Sequence, residues 1–263
     1  MRIVSLLPSA TEIVIALGLD DELLDLSRVA RPDLRAVAAA DPELVLVGDG
    51  EDSTLHARDL EGAFEGDRPP SILTLAPGSV EGVFNAIIAV GAMTEAEDEA
   101  LAVVEDLRER LKVLTEVVVG RQDHGLSAPR VVVLDEVDPP RAAGRWVPDQ
   151  VRLAGGWEVL GQAGEPARPT SWAAIIEVDP EVLVLLPGGG PISAGLAAWA
   201  ATPRPPGWAG MRAVREDRVF IVDGGAFVLA GPRVIDGIEI LAELFDPAAF
   251  DGMAPPATWV HAD

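Results

Sequence analysis

Residues 94–119, TEAEDEALAVVEDLRERLKVLTEVVV, decide the fold. Leu101, Val104, Leu107, Leu111 and Leu114 recur at helical spacing while Glu and Arg fill the other faces, which predicts one long amphipathic helix. Thr94 and Glu97 have the spacing of a capping box, which puts the helix start at Thr94. Similar material lies on both sides of this helix. ADPELVLVGDG (residues 40–50) and VDPEVLVLLPGGG (178–190) are each an Asp-Pro-Glu turn, a continuous apolar strand and a Gly-rich exit. RIVSLL (2–7) matches RVVVLD (130–135), and SILTLAPG (71–78) matches RVFIVDGG (218–225). Three such pairs in the same order argue for two related α/β lobes. The expected organisation is a lobe over 1–93, a bridging helix over 94–119, a lobe over 120–263, and a cleft between the lobes.

Composition limits what such a chain does. With 263 residues, 49% hydrophobic and 24% charged, it is globular rather than disordered. Its 20 basic and 43 acidic residues give a net charge of −23, a surface that repels phosphate backbones, so no nucleic-acid partner is expected. The absence of cysteine excludes disulfides, thiolate metal sites and thiol catalysis. No apolar run approaches the roughly 18 residues of a membrane span, so no membrane insertion is expected. Met1 leads directly into an apolar strand with no signal-peptide pattern, which predicts a cytoplasmic protein as encoded, or a periplasmic or cell-surface one if a signal was trimmed.

Strands alternating with helices imply parallel pairing, and ligands gather at the carboxyl ends of parallel strands. The apolar run at 2–7 ends at Pro8, and Ser9 with Glu12 reads as a second capping box whose helix stops at Gly18. Strands are expected over 23–26, 44–47 and 72–75, with helices over 34–40, 53–65 (weakly) and 80–90. In the second half, strands over 131–134, 182–186 and 219–222 alternate with helices over 148–154, 172–177, 192–200 and 232–244. Residues 135–146 read as a loop, and the chain after Phe245 as a loose tail.

No HExxH, CxxC or GxSxG motif is present, and His56, His124 and His261 fall on a helix edge, in a loop and in the tail. Gly188 to Gly190 lack the Lys-Ser/Thr of a phosphate loop. No catalytic or metal-ligating set is therefore assigned, and the chain is not expected to be an enzyme. Trp146, in a loop at a strand's carboxyl end, weighs evenly between core packing and ligand contact. Phe227 is a cleft candidate, while Trp157, Trp172, Trp199, Trp208 and Trp259 read as packing. Arg31 and Arg145, with Arg28 nearby, suit an anionic ligand in so acidic a chain, with surface salt bridging the competing reading for each. Ser9, Gly48, Asp49, Gly78, Pro187, Gly188 and Gly189 complete the candidate ligand site at the strand ends.

RIVSLLPSATEIVIALGL, ADPELVLVG, ILTLAPGSVEGVFNAI, AGRWVPDQVRLAGG, PTSWAAIIEVDPEVLVLLPGG and VREDRVFIVDGGAFVLAGPRVIDGIEILAELFDP together resemble the class III substrate-binding proteins of ABC importers, in particular the cobalamin-binding-protein-like branch. The resemblance spans nearly the whole chain. It implies two Rossmann-like lobes on one long helix and a metal chelate, a corrinoid such as cobalamin or a ferric chelate, held between the lobes as ligand rather than cofactor. Three departures stand out. Relatives commonly carry a Cys-Asp-Tyr-Pro-like segment where this chain reads Val29-Ala30-Arg31-Pro32, and a corrinoid-contacting tryptophan where it has Gly48. Relatives also dock on an ABC permease through one glutamate per lobe, where this chain has Arg35 and Ala173. An arginine facing the permease's own arginines repels, which weighs against an ordinary importer subunit.

The sequence thus predicts a small-molecule binding protein whose ligand is corrinoid-like, a metal chelate or another anionic metabolite. The alternatives are an importer subunit whose signal peptide was removed, and an enzyme on a binding-protein scaffold.

Overall fold

A computed structural model of the chain describes residues 1–29, 34–49, 55–60, 62–64, 69–125 and 127–262, the side chain of Gln122 apart. Two compact units form: residues 1–77, 81–107 and 229–232 make the first, and 78–80, 108–228 and 233–263 the second.

In the first unit, β1 (Ile3–Ser5), α1 (Pro8–Ala16), β2 (Leu23–Asp25), α2 (Leu34–Ala39), β3 (Leu44–Gly48), α3 (Ala57–Leu60) and β4 (Ser71–Leu75) alternate. The strands form an all-parallel sheet in the order β2-β1-β3-β4, with Ile3 paired to both Leu23 and Leu44 and Leu44 to Ser71. Val4, Val37, Val45, Val47 and Leu60 are buried together as its core, and the all-buried β3 is the continuous apolar run that a strand covered on both faces requires. Of the helix expected over 53–65, only α3 is helical among the described residues; 55–56 and 62–64 are not helical, and 53, 54, 61 and 65 lie outside the described residues.

α4 (Val80–Thr94) and α5 (Glu97–Asp123) follow, and the division between the units falls inside α5. The capping box expected at Thr94 does not form. Thr94 is the last residue of α4, and its hydroxyl donates to the carbonyls of Val90 (2.9 Å) and Gly91 (3.2 Å). The reversal is made instead by Glu95 in the left-handed region (φ 59°) and by Gly91, where a Cβ would lie 2.4 Å from the Ala100 Cβ. The apolar stripe is also shifted by one residue from the reading at Leu101. Ala100, Val104, Leu107, Leu114 and Val118 are buried, whereas Leu101 is 54% exposed.

The second unit continues with β5 (Arg130–Val137), β6 (Pro140–Ala142), α6 (Val147–Leu153), β7 (Trp157–Glu158), β8 (Arg168–Pro169), α7 (Trp172–Val178), β9 (Val182–Leu185) and α8 (Ile192–Ala201). α9 (Arg212–Arg215), β10 (Val219–Val222), α10 (Gly225–Val228), α11 (Val234–Phe245), α12 (Pro247–Phe250) and β11 (Trp259–His261) complete it. β7, β5, β9 and β10 pair in parallel in that order. Numbered along the chain, this is second-first-third-fourth, the order of the first unit's sheet, and it joins the same three sequence pairs that suggested a duplication. The fold class is α/β. Val132, Leu134, Leu183, Leu185, Ile221 and Trp199 lie in its core.

Other sequence readings are corrected here. Residues 135–142 are not a loop: β5 and β6 form an antiparallel pair extended by β8. The chain after Phe245 is not loose, because β11 adds antiparallel to β10 and Phe250 is buried. Trp259 stands edge-on to Phe220, and its indole N–H donates to Glu243 (3.1 Å). α11 begins at Val234 rather than at residue 232. Trp157 is 61% exposed on its edge strand instead of packed, with the Arg130 guanidinium 5.6 Å from its ring. Trp172, Trp199 and Trp208 do pack together, as read. Ser171 caps α7, its hydroxyl accepting from the Ala174 N–H.

Candidate functional site

At the carboxyl end of β1 the predicted capping role of Ser9 is not realised. Ser9 lies inside α1, which begins at Pro8 with Leu7 as its N-cap and no side-chain cap. Its buried hydroxyl accepts from the Ala230 N–H (2.9 Å), a partner supplied by a distant part of the chain within the same unit. The strand ends of β1 and β2 are tied by polar side chains: the Thr11 hydroxyl reaches Ser5 (2.9 Å) and Asp25 (3.0 Å), and Asp25 accepts from the N–H (2.9 Å) and hydroxyl (2.5 Å) of Ser27. Burial pushes the Asp25 carboxyl up, but these donors outweigh it and hold the group below the usual carboxylate range. Arg28 is exposed in the turn that follows, and Arg31 lies outside the described residues.

β3 and β4 deliver their carboxyl ends to an open concavity of about 430 Å³ lined by Gly48, Asp49, His56, Ala57, Arg58 and Thr74. That volume falls within the range of small-molecule sites. Two of the predicted residues, Gly48 and Asp49, meet here. His56, Arg58 and Thr74 were not singled out from sequence. The available signal was that His56 and Arg58 follow closely on a β-strand exit, where parallel sheets place ligands. The backbone N–H of His56 donates to Asp59 Oδ2 (2.9 Å), and the same oxygen stands 3.5 Å from His56 Nδ1. Arg58 is exposed, its guanidinium 3.9 Å from Asp59 Oδ1.

In the second unit the other predicted residues fall into two groups. Arg145 and Trp146 lead into α6. Arg145 adopts the left-handed conformation (φ 53°) and its N–H donates to the Glu165 carbonyl (2.6 Å), so the 161–166 loop wraps this segment. Gly144 makes the wrap possible, since a Cβ there would fall 2.4 Å from the Glu165 oxygen. Gly78 approaches the same loop at Gly164. Trp146 is 93% enclosed (7% exposed), which places it nearer core packing than an open ligand wall. One turn along α6, the buried Gln150 amide donates to the carbonyls of Ala226 (3.0 Å) and Val234 (2.8 Å). It thus ties the Trp146 segment to the turn that carries Phe227. Phe227 is fully buried.

Pro187, Gly188 and Gly189 form a turn at the carboxyl end of β9, with Gly188 (φ 68°) exposed and Gly189 (φ 60°) against Gly224. The contact is backbone on backbone; a Cβ on Gly224 would stand 2.3 Å from the Gly189 carbonyl carbon. Arg35 and Ala173, the positions expected to carry docking glutamates, are exposed on α2 and α7. Among the described residues no helix is long and apolar enough to cross a membrane.

The chain as a whole is similar to known proteins. The family described as Periplasmic binding protein matches residues 25–225. An uncharacterized ABC transporter substrate-binding lipoprotein, YvrC of Bacillus subtilis (strain 168), is 26% identical over 270 aligned positions, covering 95% of this chain and 81% of the relative. Among solved structures, a periplasmic heme binding protein from Pseudomonas aeruginosa aligns with a TM-score of 0.76 at 25% identity, covering 94% of this chain and 93% of that one. The periplasmic vitamin B12 binding protein BtuF of Vibrio cholerae aligns with a TM-score of 0.72 at 18% identity, covering 94% and 97%, a likeness of fold. With the family matched over most of its length and the fold shared from end to end, the chain belongs to the periplasmic binding proteins, among the class III substrate-binding proteins of ABC importers.

Proposed function

We propose that the chain binds a small anionic metal chelate of the corrinoid, heme or ferric-siderophore kind and presents it for transport. The observation that carries this reading is the concavity at the carboxyl ends of β3 and β4, where His56 and Arg58 stand in a protein of net charge −23. The Arg58 guanidinium at a strand-end hollow on so acidic a chain favours a ligand that carries negative charge. Similar proteins named for heme, vitamin B12 and Fe3+-hydroxamate transport support the ligand class. Within the second unit, Arg145 and the exposed turn at Gly188 are contact candidates in their own right. Location outside the cytoplasmic membrane follows the relatives' names, against the cytoplasmic expectation, and the gene upstream of Met1 tests it. Permease partnership follows the relatives as well. Arg35 and Ala173 weigh against an ordinary docking contact, and co-purification of a permease decides the point.

The ligand reading is tested by visible absorbance and mass spectrometry of protein purified from its own host, then by thermal shift against hemin, cobalamin, cobinamide and ferric hydroxamates. A bound chelate raises the melting temperature, and Arg58→Ala weakens binding about tenfold. If that variant keeps full affinity, the anionic-ligand reading is wrong.

A further inference from the structure

We infer that the face built by α8, residues 202–211 and α9 is a docking surface for an anionic lipid bilayer, touched from outside and not inserted. Residues 182–215 contain no Asp or Glu, although the chain has 43, and they carry Arg204, Arg212 and Arg215. Arg212 is matched by Glu181 and Glu216. Arg204 and Arg215 are exposed, and neither has a carboxylate partner among the described residues. Arg204 donates to the carbonyls of Trp199 (2.9 Å) and Thr202 (2.7 Å). Its guanidinium carbon lies 3.7 Å from the Trp199 ring centroid and 5.8 Å from that of Trp208. Arg215 donates to the Gly210 carbonyl. Both guanidinium groups are thus fixed on the single turn Trp208–Gly210 with their charge uncancelled. Burial lowers the Arg204 pKa from its ordinary value, and no carboxylate among the described residues offsets that.

α8 supplies the apolar part of the face. It turns Gly195 and Trp199 inward and exposes Ser193, Ala194, Leu196 (43% exposed), Ala197 and Ala200. A helix on an aqueous surface ordinarily carries charge on its outer side, and this one carries none. Pro203, Pro206 and Ala209 continue the exposed uncharged surface, and Trp208 is half-buried beside them. Apolar surface edged by arginine and an indole is the composition of a face that meets a membrane interface. An acidic protein would also answer the arginines. The short side chains of α8 offer it no anchor to seat in a pocket, whereas a bilayer asks for none. The net charge of −23 does not forbid the contact, because charges are screened within about 8 Å at physiological salt and the bilayer senses the side turned towards it. Two arginines attract weakly, so the face orients a molecule already held close to a membrane.

The chain has no cysteine, so Ala197→Cys carries one environment-sensitive dye on this face, and Ala102→Cys carries the control on the exposed side of α5. The full chain is tethered by an N-terminal histidine tag to vesicles holding a nickel-chelating lipid, at an effective concentration of roughly millimolar. Phosphatidylglycerol vesicles are compared with phosphatidylcholine vesicles at about 0.15 M and about 1 M NaCl. The dye at 197 should shift to the blue on phosphatidylglycerol alone, and high salt should reverse the shift. Arg215→Ala, in the Ala197→Cys background, should lower the docked-to-free ratio about fivefold, and Leu196→Glu should lower it further. Melting temperatures equal to the parent's show that these variants are folded. Equal shifts on both lipids, equal shifts at 197 and 102, no shift at all, or no effect of either variant overturns the inference. A shift at 197 without vesicles that grows with protein concentration also overturns it, since a second copy then covers the face.

Discussion

Glu158 shows how one residue sets a local balance. Its carboxylate accepts from the N–H groups of Val133 (3.0 Å), Leu160 (2.8 Å) and Gly161 (2.8 Å), taking over where the two-residue β7 stops and the ladder on β5 lacks a partner. Burial pushes its pKa up to about 7, because desolvation of the charge outweighs what the surrounding backbone donors return. The folded chain therefore holds this proton more tightly than the unfolded one. The associated stability is complete below the ordinary carboxylate range and is lost as pH rises through about 7, to a total of roughly 3 kcal/mol. Melting temperature measured from about pH 4.5 to 8 should fall across that window, and Glu158→Gln should flatten the fall. An equal slope in both proteins would show that the group titrates normally. Because Leu160 and Gly161 open the loop that wraps Arg145, the same carboxylate also anchors a segment of the candidate site.

The register of α5 is open to direct measurement. Leu114 is fully buried and Leu101 is 54% exposed, although both fit the apolar spacing. Leu114→Ala should cost about 2–5 kcal/mol by urea denaturation, and Leu101→Ala less than about 0.5 kcal/mol. Comparable losses would restore the stripe centred on Leu101. Within the second unit, Arg110 holds α5 to α11 through Asp236 (2.7 Å) and Glu239 (2.6 Å), which keeps its guanidinium charged well above the ordinary arginine range. Thr94 and Ser9 show why the capping pattern alone misplaces two helix starts. A hydroxyl three residues before a glutamate satisfies the capping pattern wherever it occurs. In the fold, the Thr94 hydroxyl bonds back into α4 and that of Ser9 takes the N–H of Ala230, which is 221 residues away.

For the whole molecule, a net charge of −23 means that self-repulsion opposes compactness. Raising NaCl from about 0.05 M to about 0.5 M should therefore lift the melting temperature by a few degrees, as screening shortens the range of that repulsion. A melting point indifferent to salt would mean that the acids are already compensated by close pairing. The sequence by itself determined the α/β class, the repeated strands, the helix between them and the family, because runs such as LVLVG and VLVL and the turns that flank them are local patterns set by burial and backbone geometry. Only the tertiary structure decided which face of α5 is covered, that the last residues add a strand to β10, that Phe227 is core, and that His56 and Arg58 share a hollow with Gly48 and Thr74. Those outcomes depend on partners distant in sequence, whose contacts form only when the strands have paired, so no local pattern records them.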